Sequence, residues 1–143
     1  IKLGRLDSLE LGNLEAQRDW GYAEDYVQGM HQMLQADTSD TFVLATGRTQ
    51  SIREFVDMSF AAVDMQLEWS GRGEQEYAVD AASGKTLVRV NPRFFRPAEV
   101  DTLIGDAGKA RELLNWTPAT SLEALCNMMV TEDIRRHEVG RSW

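Results

Sequence analysis

The chain has 143 residues, 43% hydrophobic and 27% charged, a balance that suits one globular domain and is too apolar for a disordered chain. A formal net charge of −8 argues against long-range attraction to nucleic acid or anionic lipid, although well-placed arginines can still hold a small phosphorylated ligand. No apolar run approaches the ~20 residues of a membrane span, and no basic segment followed by an apolar one marks a leader.

The chain opens on Ile1 rather than methionine, and Ile1 to Arg5 carries no helix-start signal, which reads as a piece of a longer chain. Leu9 to Gly12 is a short β-prone run, followed by a polar, turn-like stretch that ends in Arg18-Asp19-Trp20-Gly21. From Tyr22 to about Ala36 the spacing predicts a helix with Tyr22, Tyr26, Met30, Met33 and Leu34 on its apolar face. Thr41 to Gly47 is a nearly continuous apolar run closed by glycine, which predicts a strand buried on both faces, as in a parallel sheet.

Ser51 with Glu54 forms a capping box, and Ile52, Phe55, Val56, Phe60 and Val63 continue at helical spacing. Gln66 to Trp69 reads as a strand, and Tyr77 to Val79 with Thr86 to Val90 reads as a hairpin around Ser83-Gly84. Arg93 to Pro97 is an aromatic-rich turn, and Asp106 is the expected N-cap of a short helix carrying Ala110, Leu113 and Leu114. Thr120 and Glu123 are read as a second capping box, opening a last helix with Leu122, Leu125, Met128, Met129 and Ile134 on one side.

Cys126, the only cysteine, excludes an intrachain disulfide and fits a reducing cytoplasm; its place in an apolar helix suits a buried small hydrophobe. His31 and His137 are far apart, with no ligand-spaced cysteine or histidine beside them, so no metal site is expected. No Gly-x-Gly-x-x-Gly or Gly-x-x-x-x-Gly-Lys loop occurs.

Two clusters carry chemistry. Arg18 stands where a planar guanidinium can grip a phosphate, or can pair with the adjacent Asp19. In Phe94-Phe95-Arg96-Pro97-Ala98-Glu99-Val100, Pro97 fixes its own φ and holds Arg96 extended. Arg96 can then meet a phosphate and Glu99 a vicinal diol, or the two can form an ion pair across the turn.

The string Leu11-Gly12-Asn13 followed by Arg18-Asp19-Trp20-Gly21-Tyr22-Ala23-Glu24-Asp25-Tyr26-Val27 resembles a signature segment of the GDP-mannose 4,6-dehydratase family, within the extended short-chain dehydrogenase class. Ala45-Thr46-Gly47, Phe95-Arg96-Pro97-Ala98-Glu99-Val100 and Leu114-Asn115-Trp116-Thr117-Pro118 follow in the family's order. The resemblance implies a mixed α/β fold, the C-terminal portion of an extended short-chain dehydrogenase without its N-terminal Rossmann half. It implies that Arg18 and Arg96 hold the diphosphate of GDP-mannose, that Glu99 binds the ribose, and that Asn13, a weaker candidate, lies near the guanine. The complete protein would be a cytoplasmic lyase that forms GDP-4-keto-6-deoxymannose on the way to GDP-fucose, with NADP bound by the absent half and a homo-oligomeric assembly. The family's catalytic Thr and Glu and its Tyr-x-x-x-Lys pair have no counterpart in this sequence, so no catalytic residue is assigned and the chain alone is expected to be inactive. Residues 20–47 are expected to pack on the absent Rossmann lobe and residues 66–143 to form the substrate lobe. Another nucleotide-sugar epimerase or reductase, or a non-catalytic nucleotide-binding or interaction module, remains open on the residues alone.

Overall fold

A computed structural model describes residues 1–96 and 104–140. Its elements in chain order are β1 (Leu9–Leu11), β2 (Gln17–Arg18), α1 (Ala23–Leu34), β3 (Gln50–Ser51), α2 (Ile52–Ala61), β4 (Leu67–Ser70), β5 (Tyr77–Asp80), β6 (Thr86–Val90), α3 (Gly108–Leu114) and α4 (Leu122–Glu138). Two-residue strands β2 and β3 form a small sheet of their own. The chain divides into two compact units. Unit 1 comprises the described residues of Ile1–Ala16, Ser51–Asp101 and Cys126–Trp143; unit 2 comprises those of Gln17–Gln50 and Thr102–Leu125.

Unit 1 is a four-stranded sheet in the order β1-β6-β5-β4. β4, β5 and β6 form an antiparallel meander, and β1 joins it in parallel, with Leu9, Glu10 and Leu11 opposite Val88, Arg89 and Val90. The expected hairpin is present: Gly84 supplies a positive φ of 68° at the turn, and its N–H donates to the Asp80 carbonyl at 2.8 Å. The core consists of Val56 and Phe60 from α2 against Ala78, Leu87 and Val88, with Leu11, Leu67 and Trp69 at its margin. Helix α2 starts as expected, since the Ser51 side chain accepts from the Glu54 N–H and the Glu54 carboxylate accepts from the Ser51 N–H. On α4, Cys126 is 1% exposed and its sulfur lies 3.2 Å from the Ser59 hydroxyl on α2.

Arg53 ties the segment after β1 to this framework. Its guanidinium binds the carboxylates of Glu15 and Glu76 and lies 4.8 Å over the Trp69 ring. Hydrogen bonding to Glu76, then to Glu15, pushes the Arg53 guanidinium further toward its charged form. The N–H groups of Ile52 and Arg53 donate to the carbonyls of Ala16 and Leu14, whose side chains are buried.

In unit 2, Trp116 is 3% exposed and packs with Ala45, Ala107 and Ala110, while Tyr26, Phe42, Leu44 and Leu114 surround that cluster. Trp116 donates from Nε1 to the carbonyl of Asp25, and the buried Asp25 carboxylate accepts from the Thr120 N–H at 3.0 Å. Gly29 on α1 admits this approach, because a Cβ there would lie 2.8 Å from Leu44 and 2.9 Å from Trp116 Nε1.

Several expectations are corrected. Thr41 to Gly47 forms no ladder among the described residues, although Leu44 lies against Gly29 of α1 and Val43 and Ala45 lie against Gly105. Phe42, Leu44 and Ala45 face the α3 cluster, whereas Val43 is 51% exposed. Lys109 secures the start of this stretch, through a 2.6 Å ion pair to Asp40, a hydrogen bond to the Thr41 carbonyl and its approach to the Phe42 ring. By contacts, residues 102–125 cluster with 17–50 in unit 2.

On α1 the buried residues are Asp25 and Gly29, whereas Met30 and Leu34, on the predicted apolar face, are exposed. Ala107, not Asp106, is the N-cap of α3, although the Asp106 carboxylate accepts from the Gly108 N–H at 2.8 Å one residue further on. At α4 the hydroxyl that accepts from the first turn belongs to Ser121, bonded to the Ala124 N–H, while the Thr120 N–H is engaged by Asp25. Met128 and Met129 are largely exposed, and Cys126, with half-buried Val130 and Ile134, forms the covered side.

Candidate functional site

The four candidate residues fall in different places. Asn13 and Arg96 come together in unit 1. Arg18 belongs to unit 2. Glu99 lies outside the described residues.

In unit 1 the pairing of β1 with β6 carries the segment after β1 past the turn after β6. The Asn91 N–H donates to the Leu11 carbonyl at 2.8 Å, and the Phe94 N–H closes the turn on the Asn91 carbonyl at 2.9 Å. Gly12 is the point of closest approach, since a Cβ there would stand 2.3 Å from the Phe94 carbonyl oxygen. Beyond it, the Asn13 side chain meets the backbone of Arg96. Asn13 Oδ1 accepts from the Arg96 N–H at 2.8 Å, and Asn13 Nδ2 donates to the Arg96 carbonyl at 2.8 Å. The Arg96 side chain is exposed.

In unit 2 the Arg18-Asp19-Trp20-Gly21 turn is bound to Ala45-Thr46-Gly47. Asp19 Oδ1 accepts from the Thr46 N–H at 3.1 Å and from its hydroxyl at 2.6 Å, and Oδ2 accepts from the Gly47 N–H at 3.0 Å. Sequence reasoning considered Asp19 only as a possible partner of Arg18. Its observed partners lie 27 and 28 residues away, which no local pattern signals. Arg18 itself is half-buried and donates to the Gln17 carbonyl at 2.7 Å. At Gly21 a Cβ would lie 2.1 Å from the Tyr26 hydroxyl, so a larger residue there would have to displace that ring. Burial, then the nearby carboxylates of Asp19 and Asp25, raises the Tyr26 phenol above its ordinary range, so this ring stays neutral at physiological pH.

Replacing Asp19 by alanine should leave the Thr46 and Gly47 amides without their acceptor. We expect their exchange with solvent to correspond to a loss of about 1–3 kcal/mol of local protection. Unchanged exchange at both amides in the Asp19→Ala protein would refute this role.

A polar cleft of about 330 Å³ in unit 2 is lined in part by Trp20, Thr46, Arg48, Arg111, Thr117 and Ser121. Glu123 lies there too, its carboxyl held below the usual range by its own backbone N–H, by Ser121 and by Arg48. The larger cleft, of about 510 Å³ in unit 1, is mainly apolar, lined by Ile1, Leu6, Leu9, Phe60, Val63 and Ile134 among others, and neither Asn13 nor Arg96 lines it. Among the described residues no group of three or more His, Cys, Asp or Glu could hold a metal ion, and no helix is long and apolar enough to cross a membrane.

The fold matches solved structures over most of the chain. An RMD of Pseudomonas aeruginosa complexed with NADPH aligns with a TM-score of 0.72 at 16% identity, covering 94% of this chain and 39% of that one. A UDP-glucose 4-epimerase of Bifidobacterium longum, complexed with NAD+ and UDP, aligns with a TM-score of 0.67 at 15% identity, covering 95% and 37%. The mixed α/β architecture, as expected, is one that these solved structures share.

The family model for GDP-mannose 4,6 dehydratase matches residues 1–129, and the chain belongs to that family. It is 52% identical over 134 residues to a GDP-mannose 4,6-dehydratase of Sinorhizobium fredii (strain HH103), covering 94% of this chain and 38% of the relative. It is 46% identical to the GDP-mannose 4,6 dehydratase of Drosophila melanogaster, covering 91% and 33%, and 45% identical to that of Homo sapiens, covering 94% and 36%. The chain thus spans about a third of the length of these relatives.

The 143 residues contain neither a Gly-x-Gly-x-x-Gly loop nor a tyrosine with a lysine four residues on.

Proposed function

We propose that this chain is the substrate-binding part of an enzyme that converts GDP-mannose to GDP-4-keto-6-deoxymannose with loss of water, using NADP. The observation that carries the proposal is the family match over residues 1–129. NADP would be held by the portion of the relatives' length that this chain does not span. The residues present would contribute binding and orientation, the positioning share of catalysis. Arg18 and Arg96 would grip the diphosphate through their planar donor forks, Glu99 would accept from the ribose hydroxyls, and Asn13 would lie toward the guanine end.

On this proposal α1 and the 41–47 stretch pack against the Rossmann half. What supports it is the exposed face of unit 2: Val27, Met30 and Leu34, at helical spacing on α1, are 60%, 56% and 82% exposed. The complete protein would act in the cytoplasm as a homo-oligomer.

Incubation with GDP-mannose and NADP tests the proposal. The complete protein should form the 4-keto sugar, and the 143-residue chain alone should not. A complete protein that leaves GDP-mannose unchanged, or a keto product formed by the chain alone, would refute it.

A further inference from the structure

We infer that Asn13 is a positioning residue, which sets the backbone of Arg96 and thereby the aim of its guanidinium, and not a reader of the guanine base. The inference rests on the proposed diphosphate role of Arg96. Two observations support it.

The first is the hydrogen-bond pair. A residue in a β-ladder exchanges one N–H and one carbonyl with its partner; here the Asn13 amide replaces a backbone and makes both bonds at 2.8 Å. The pairing also settles the amide's orientation, because a flipped side chain would set N–H against N–H and oxygen against oxygen.

The second is the support behind it. Gly12 leaves no room for a Cβ beside the Phe94 carbonyl, and Leu14 and Ala16 are buried, with their carbonyls held by the N–H groups of Arg53 and Ile52. Asn13 therefore stands on a fixed segment and bonds the residue it follows in space. Arg96 precedes Pro97, which restricts it to extended backbone. With φ and ψ limited there and both backbone polar groups bonded to Asn13, the remaining freedom of Arg96 is in its side chain.

The test uses the complete protein and has two readouts. In the absence of ligand, Asn13→Ala should speed amide exchange at Arg96 at least tenfold while the Val88 amide stays protected. Asn13→Asp, nearly isosteric, should keep an acceptor for that N–H but set an oxygen against the Arg96 carbonyl, giving intermediate exchange. In calorimetry, Asn13→Ala should weaken GDP and ADP by the same factor, about tenfold, the equivalent of one hydrogen bond. That loss should disappear on an Arg96→Ala background. Unchanged Arg96 exchange in both Asn13 variants would overturn the inference whatever the ligands do. Selective loss of GDP over ADP, or a tenfold loss that persists without the Arg96 side chain, would instead make Asn13 a base reader. Failure of the unsubstituted protein to bind GDP would sink the substrate assignment and leave the exchange readout to decide the positioning role.

Discussion

In the complete protein, Trp116→Ala is expected to destabilise unit 2 by about 3–5 kcal/mol, the usual cost of deleting a buried large aromatic side chain. Trp116 is 3% exposed, fills the space between Ala45, Ala107 and Ala110, and lies 6.0 Å from the Tyr26 ring, centroid to centroid. Its Nε1–H also donates at 2.8 Å to the Asp25 carbonyl. Alanine removes both the volume and the donor, and the small residues around it cannot close the space. Trp116→Phe keeps most of the apolar contact and loses the donor, so its cost should be nearer the 1–3 kcal/mol of an unsatisfied buried polar group. Amide exchange along α1 and α3, read with denaturant melting, measures both. Protection within about 0.5 kcal/mol of the parent in Trp116→Ala would show that the indole does not hold these elements together.

The second large effect concerns Arg96. If its guanidinium grips the diphosphate, Arg96→Ala should weaken GDP-mannose binding by roughly 1.5–3 kcal/mol, the range of hydrogen bonds to charged groups. Arg96→Lys keeps the charge but loses the fork, so it should restore only part of the affinity. Glu99→Gln should act more gently, and mainly on ligands that carry both ribose hydroxyls. Calorimetry on the complete protein decides; unchanged affinity in Arg96→Ala would leave the arginine with no role in binding. The Asn13 contacts are to backbone atoms, so the Arg96 variants should leave that clamp in place.

What was legible in the sequence depended on how far apart the partners lie. The Ser51–Glu54 capping box and the turn at Gly84 are made within a few residues, and both are present as expected. The 41–47 run was expected as a laddered strand, but its own composition does not say which strands would pair with it, and it pairs with none among the described residues. Its neighbours come from both directions along the chain: Gly29 on α1 lies against Leu44, while Ala107, Ala110 and Trp116, more than 60 residues later, pack with Ala45. The start of α4 was misplaced by one residue: the Thr120–Glu123 spacing favours Thr120 locally, but the Thr120 N–H is bonded to Asp25, 95 residues earlier, and the Ser121 hydroxyl accepts from the first turn. The candidate site shows the same limit. The family resemblance points to Arg18 and Arg96 as candidate phosphate ligands, but neither it nor the local pattern reveals that Asp19 is bonded to Thr46 and Gly47, or that Asn13 is bonded to the Arg96 backbone.

Cys126 gives the molecule a clock. The thiol is 1% exposed at the contact of α4 with Ser59 on α2, so an alkylating reagent can reach it only when that contact opens. In excess reagent the labelling rate becomes the opening rate, counted one molecule at a time by the mass added to the peptide that carries Cys126. A ligand that slows this labelling without touching the thiol would report, in seconds, how strongly binding tightens unit 1.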